Sequence, residues 1–193
     1  MVTFSIAHLI IFVQKLFDKI IANKYVAFSH SIQTIEKFIR KGQLISYLKY
    51  KPKIIFVGKY HSNKRNYLLK MFGSINLQWA VDPLFLETNL DEGIIENRAI
   101  FTSRRDRNLD MLIDIWKKKI FTQNKSIKLY TTPSNLIDNN YNIFTRNFND
   151  KQSMVKDLLK SKVLLVPGHK GEIFCIAAEE ARELCIPIVT LGI

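Results

Sequence analysis

The sequence predicts an α/β fold, a Rossmann-like parallel sheet with flanking helices. Three observations carry the expectation. Short apolar runs recur along the chain, and each ends in a small polar turn leading into a segment with apolar residues at helical spacing. The clearest example is residues 163–190, VLLVPGHKGEIFCIAAEEARELCIPIVT, which reads as strand, loop, helix and strand. The chain has 193 residues, 47% of them hydrophobic and 24% charged, enough to bury the core of one domain or of two small ones. Ligands of open α/β sheets gather at the carboxyl ends of strands, so the loops that follow the apolar runs carry the functional interest.

Taken in order, residues 4–22 place Leu9, Phe12, Val13, Leu16 and Ile20 at helical spacing, with Lys15, Lys19 and Lys24 on or near the other side. This is a basic amphipathic helix, read as an ordinary cover for the sheet or as a contact with an anionic bilayer. Its apolar stretch, 6–13, is too short to span a membrane and lacks the flanks of a secretory signal. A strand at 25–28 then meets Ser29, an N-cap for a helix with Ile32, Ile35, Phe38 and Ile39 on its apolar face. The unit repeats as a strand at 54–57, a turn at Gly58, and a helix over 61–72 whose apolar positions are Tyr67, Leu68 and Met71, stopped by Gly73. Two such units in succession predict neighbouring parallel strands. The basic stretch KYHSNKR at 59–65 fits either a phosphate grip or, preferably, a solvated helix start.

The segment DPLFLETNLDEGIIENR is polar, acidic and without a clear period, so residues 76–98 are expected to link a first region, 1–75, to a second, 99–193. The second region opens with a strand at 99–102, a loop SRRDR at 103–107, and a helix at 109–120 carrying Leu109, Leu112, Ile113 and Trp116. Strands at 127–130 and 142–145, a helix at 151–159 and the closing unit follow.

Charge divides unevenly between the halves. Residues 1–75 hold 13 Lys/Arg against 2 Asp/Glu, which accounts for almost all of the net charge of +12. An anionic partner, nucleic acid or membrane surface, is one explanation, and solubility with compositional bias is the other. No RNA-binding aromatic signature accompanies the charge. Cys175 and Cys185 fall in or beside one apolar helix, which indicates no disulfide framework and a reducing, cytoplasmic setting. Their spacing is not that of a zinc site, and no Ser/His/Asp grouping suggests a hydrolase.

Two groups of residues suit a ligand. Arg104, Arg105 and Arg107 lie at a strand-to-helix turn, where guanidinium forks and helix-start N–H groups favour a pyrophosphate, although arginine-rich turns also occur on plain surfaces. Glu172 and Glu180 have seven residues between them, which puts one near a helix start and the other about two turns along roughly the same face. The plain alternatives are an acid at a helix N-terminus for Glu172, a solvated face for Glu180, an exposed loop residue for His169 and a small packed residue for Cys175.

These segments, in this order, resemble the carboxyl-terminal nucleotide-sugar-binding domain of the retaining group 1 glycosyltransferases (family 4, GT-B fold). FTSRRDRNLDMLIDIW resembles the family's strand, turn and helix, with Arg107, Asn108 and Leu109 where a basic residue, Gly and Leu are usual. VPGHKGEIFCIAAEEARELCIPIVT resembles its paired-glutamate motif, and Glu172-Ile173-Phe174-Cys175-Ile176 is close to a Glu-Thr-Phe-Cys-Ile variant of it. WAVDPLFL is similar to the interdomain segment, with Val81, Asp82 and Phe85 in place and Ala80 replacing Gly.

The resemblance covers residues 54–193 and implies a donor site. Arg107, with Arg104 or Arg105, would neutralise the diphosphate; Glu172 would contact the donor sugar and Glu180 the ribose. His169, Ile173, Phe174 and Cys175 complete the implied substrate-binding set, of which Glu172 and Arg107 are the catalytic members. The implied donor is a nucleotide-diphosphate sugar and the acceptor a glycan or lipid-linked glycan, with neither metal nor cofactor and no specific nucleic acid. Residues 1–75 match only the end of the family's first domain, and nothing matches its closing segment. The chain thus reads as a fragment or a shortened relative; the rival reading is a binding module that uses its basic first part.

Overall fold

The computed structural model describes residues 24–29, 42–65, 67–90, 95–132, 136–146, 150–168 and 174–190. The helices expected at 4–22 and around Ile32–Ile39 lie outside the described residues. Among the described residues, no helix is long and apolar enough to cross a membrane. Chain contacts divide the molecule into two compact units, Met1–Trp79 and Ala80–Ile193.

The first unit holds a three-stranded parallel sheet, β1 (Val26–Ser29), β2 (Lys53–Val57) and β3 (Ser74–Leu77), in that order. The predicted parallel neighbours are therefore present, with Ala27 opposite Ile54 and Ile55 opposite Ile75. Ala27, Ile54 and Phe56 form a small core with Leu69 and with Tyr47 of α1 (Leu44–Tyr50). The Tyr47 hydroxyl donates to the Leu68 carbonyl at 3.0 Å, so the ring packs while its polar tip stays paired. Burial pushes that phenol's pKa up.

One expectation for this unit is corrected. The helix over 61–72 is instead a short α2 (Gly58–Asn63) followed by a 3-10 turn, Tyr67–Lys70. Within that turn Leu69 is 1% exposed and Tyr67 is 80% exposed, so the apolar face read from Tyr67, Leu68 and Met71 is not the buried one. A 3-10 turn has three residues per turn, which shifts the inward position away from the one an α-helix would present.

The second unit is a five-stranded parallel sheet built from β4 (Glu96–Phe101), β5 (Lys128–Thr131), β6 (Ile143–Thr145), β7 (Ser161–Val166) and β8 (Ile188–Thr190). Its strand order is β6-β5-β4-β7-β8. Period-two alternation sorts the strand residues onto two faces. Ile100, Leu164 and Val166 face a core shared with Val155 and Leu158 of α6 (Lys151–Leu159) and with Ala181 of α7 (Ile176–Glu183). Ala99, Phe101, Leu129 and Leu165 face a second core with Leu109 and Leu112 of α4 (Leu109–Ile115) and with Trp116. Burial on both faces explains why these strands read as continuous apolar runs.

Helix α4 continues through a π-helical stretch, Trp116–Ile120, into α5 (Phe121–Gln123). The wider turn brings Ile120 and Phe121 to the same core as the fully buried Trp116, whose indole N–H donates to the Tyr141 carbonyl at 2.9 Å. A further element comes from the segment expected to be irregular: Asp82 caps the single-turn helix α3 (Pro83–Leu86) by accepting from the Leu84 N–H at 3.1 Å. That turn directs Phe85, 1% exposed, into the core with Ile100 and Leu158. Phe85→Ala should therefore destabilise the second unit by about 3–5 kcal/mol, read as a fall in the urea midpoint; a change within error would show that Phe85 does not anchor this segment.

Candidate functional site

The chain leaves β4 toward β5 on one side and returns to β7 on the other, so the strand order reverses between these two neighbours. Ile100 lies opposite Leu164, which sets the carboxyl ends of β4 and β7 side by side. The loop after β4 contains Arg104, Arg105 and Arg107, and the loop after β7 leads to Phe174, Cys175 and α7. Both therefore flank the crevice where open α/β sheets hold ligands.

The Arg-bearing loop is a compact turn. The Arg107 N–H donates to the Arg104 carbonyl at 2.9 Å, and the Leu109 N–H to the Arg105 carbonyl at 3.2 Å. Closing this turn places Asn108 in the left-handed region, with φ 61° and ψ 31°. Asn tolerates that conformation better than other side-chain-bearing residues, which explains how it stands where the resembled family has Gly. Its side chain also does something Gly cannot: Nδ2 donates to the Gly168 carbonyl at 2.5 Å. One amide thus ties the turn after β4 to the loop after β7.

The three arginines differ in setting. Arg104 is exposed and paired with Asp106 at 3.0 Å, and Arg105 is exposed and paired with Asp110 at 3.1 Å. Arg107 is half-buried beside Asn108. Exposed pairs of this kind contribute little to stability, and both carboxylates already compete for the forks of Arg104 and Arg105.

Helix α7 begins at Ile176, with Cys175 in extended conformation as its N-cap. Glu180 lies on this helix. Glu172, His169 and Ile173 lie outside the described residues. Phe174 and Cys175 are half-buried at the helix entrance, and neither Cys175 nor Cys185 forms a disulfide among the described residues.

Glu180 is half-buried, and burial pushes its carboxyl above the usual Glu range, partly countered by Lys151 and reinforced by Asp82. Lys151 opens α6 and pairs with Asp82. Hydrogen bonding from Lys151 and from the Leu84 N–H holds the Asp82 carboxyl below its ordinary value. Sequence reading placed Asp82 in a linker and did not connect it with Lys151 or Glu180, which lie 69 positions beyond it in the one case. Thr102, the first residue after β4, was also passed over. Among the described residues its buried Oγ1 has no hydrogen-bond partner, an arrangement that costs free energy unless something else satisfies it.

The basic stretch at 59–65 proves partly interior. His61 is fully buried, accepting at Nδ1 from the Val57 N–H at 3.2 Å, with Nε2 3.3 Å from the Ser29 hydroxyl. In neutral imidazole the proton then sits on Nε2 and points at Ser29, the wrong way round for a base that would activate a serine. The pair is structural; it joins the ends of β1 and β2.

No protein-family model matches the sequence, and no curated protein matches it. Solved structures do match. An apo structure of OtsA superposes with a TM-score of 0.66 at 12% identity, over 95% of this chain and 56% of that one. A mutant of S. aureus TarM in complex with fondaparinux, alpha-GlcNAc-glycerol and UDP gives a TM-score of 0.63 at 15% identity, over 88% of this chain and 37% of that one. The pneumococcal O-GlcNAc transferase GtfA in complex with UDP and GlcNAc gives 0.55 at 15% identity, over 73% and 30%. These neighbours are GT-B glycosyltransferases, and the fold of this chain is theirs. The chain spans between about a third and just over half of their length.

Two outcomes test the site. Asn108→Ala and Asn108→Gly both lose the hydrogen bond to Gly168, but Ala should cost about 1–2 kcal/mol more through strain in the left-handed region; equal losses in denaturation would mean the left-handed backbone is not what Asn108 supplies. Because the Glu180 carboxyl titrates higher in the folded chain than in the unfolded one, its contribution is fully present at low pH and is lost as pH rises through its raised pKa. Glu180→Gln should therefore raise the melting temperature at neutral pH, with the gain shrinking as pH falls into the ordinary Glu range. A gain independent of pH would contradict this.

Proposed function

We propose that this chain binds a nucleotide-diphosphate sugar at the β4–β7 crevice, as the donor-binding part of a retaining glycosyltransferase acting on a glycan or lipid-linked acceptor. The observation that carries the reading is the convergence of two loops on one topological switch point, joined by the hydrogen bond from Asn108 to Gly168. It is supported by the UDP and sugar bound in complexes of two structural neighbours.

In this reading the half-buried Arg107 pairs with the diphosphate, because a desolvated guanidinium fork holds phosphate more strongly than an exposed one. Arg104 or Arg105 joins it only by leaving Asp106 or Asp110. Departure of the nucleoside diphosphate develops negative charge, and Arg107 with the backbone N–H groups of the turn stabilises it without a metal ion. Glu180 accepts from the ribose hydroxyls, and the buried Thr102 hydroxyl finds its partner on the same ligand. Glu172 contacts the donor sugar. The rival reading, a nucleic-acid or membrane module, predicts anion binding that ignores Arg107 and Glu180.

Calorimetry with several nucleoside diphosphates, run with and without chelator, tests the proposal. Binding should persist in chelator and weaken at least tenfold in Arg107→Ala, consistent with a loss of about 1.5–3 kcal/mol for a charged hydrogen bond. Loss of binding in chelator would overturn the metal-free mechanism, and unchanged affinity in Arg107→Ala would overturn the assignment of the site. Turnover by this chain alone should be far slower than binding implies, because the acceptor must be held against the donor and the sequence of residues 1–75 resembles only the end of a first domain. Rapid transfer to a defined acceptor by the 193-residue chain would refute the fragment reading.

A further inference from the structure

A second basic site stands apart from the β4–β7 crevice. Arg146, the residue after β6, is 5% exposed, and its Nε donates to Asp157 Oδ2 of α6 at 2.7 Å. Its Nη1 is buried without a hydrogen-bond partner, and among the described residues Nε alone has one. A second buried arginine, Arg98 of β4, converges on the same helix: its Nη2 donates to the Asp157 carbonyl at 2.5 Å, and its guanidinium lies 4.7 Å from the centre of the Tyr130 ring. The Arg98 Nη2 also lies 3.4 Å from Asp157 Oδ1, so one carboxylate serves two guanidinium groups.

Beside Arg146 is an open cavity of about 370 Å³, lined by Tyr130, Thr145, Arg146, Ser153, Lys156, Asp157 and Lys160. Its lining carries three cations against one carboxylate. It shares no residue with the Arg104–Asn108 turn or with α7. Burying a guanidinium with an unmatched N–H group is costly, and an anion in the cavity that Arg146 helps to line would offset that cost.

We infer that this cavity binds a phosphate monoester or free phosphate. The charge argues for phosphate over carboxylate, since the lining's excess of two positive charges matches the near-dianionic phosphate group and not a monoanion. The geometry agrees: Arg146 keeps an unpaired Nη1 while Nε holds Asp157, Lys156 of α6 and Lys160 just beyond its end add exposed ammonium groups to the lining, and Ser153 and Thr145 add hydroxyls. Tyr130 supplies an apolar wall suited to the carbon skeleton of an ester.

Calorimetry on the full chain, with the crevice saturated by UDP, should detect binding of orthophosphate or of a hexose 6-phosphate. Tighter binding of the monoester would identify an esterified ligand, and equal affinities would identify free phosphate; either supports the site. Lys156→Gln with Lys160→Gln removes two exposed side chains and leaves the buried ion pairs intact, so it should weaken phosphate binding at least tenfold while UDP affinity holds. Arg146→Lys should weaken it as well, by removing the unpaired Nη1. No binding of either phosphate at millimolar concentration, or binding unaffected by the lysine changes, would overturn the inference. Failure of UDP itself to bind would count against the donor-site proposal alone, and the phosphate measurement would then be made without it.

Discussion

Everything recognisable about this chain depends on the pairing of β4 with β7. These strands are neighbours in space but far apart in sequence, and the chain departs from them in opposite directions. Burial on both faces holds the pair in place, by Ile100 and Leu164 on one side and by Ala99, Phe101 and Leu165 on the other. The strand order reverses there, so no crossover covers the carboxyl ends of the two strands, and a crevice follows from topology before any polar residue is considered. The functional side chains can be placed only because the apolar ones fix this register.

The polar residues then divide between structure and ligand, and partnership decides which is which. His61 has Val57 and Ser29, and belongs to the architecture of the first unit. Arg98 has Ser161, Asp157 and the Tyr130 ring, and pins β4 to the start of β7 and to α6. Arg146 and Thr102 each bury a polar atom with no partner among the described residues, the first beside α6 and the second at the crevice. Folding an unpaired polar atom into the interior is unfavourable, and an ordered water or a bound ligand at either place would satisfy it.

Much of this architecture was legible in the sequence. The apolar runs at 54–57, 99–102 and 163–166 and the helix at 151–159 announce themselves because burial imposes a period or a continuous run on them. What escaped lacks that imprint. Strand β3 is exposed along its whole length, so Ser74–Leu77 shows no alternation. Helix α1 buries only Tyr47, and α3 is a single turn that buries only Phe85. The site was half legible for a similar reason. Arginines at a strand-to-helix turn are visible in one dimension, but the meeting of Asp82, Lys151 and Glu180 is made by the fold and leaves no local pattern.

Asn108 shows how sequence and fold exchange constraints. A Gly at this position would give a relaxed left-handed turn and an open approach to a ligand. Asn pays some backbone strain, and its amide then reaches across to the Gly168 carbonyl. The two loops at the crevice therefore depend less on ligand to hold them together, because a direct hydrogen bond already spans them. For the proposed donor site, a link between the two loops that is present before a ligand arrives lowers the conformational cost of binding. The side chain that closes the gap also occupies part of the space a Gly would leave. Of the two N–H groups of that amide, one is committed to the Gly168 carbonyl, so in the proposed donor complex the phosphate would meet Arg107, the backbone of the turn and at most one amide N–H.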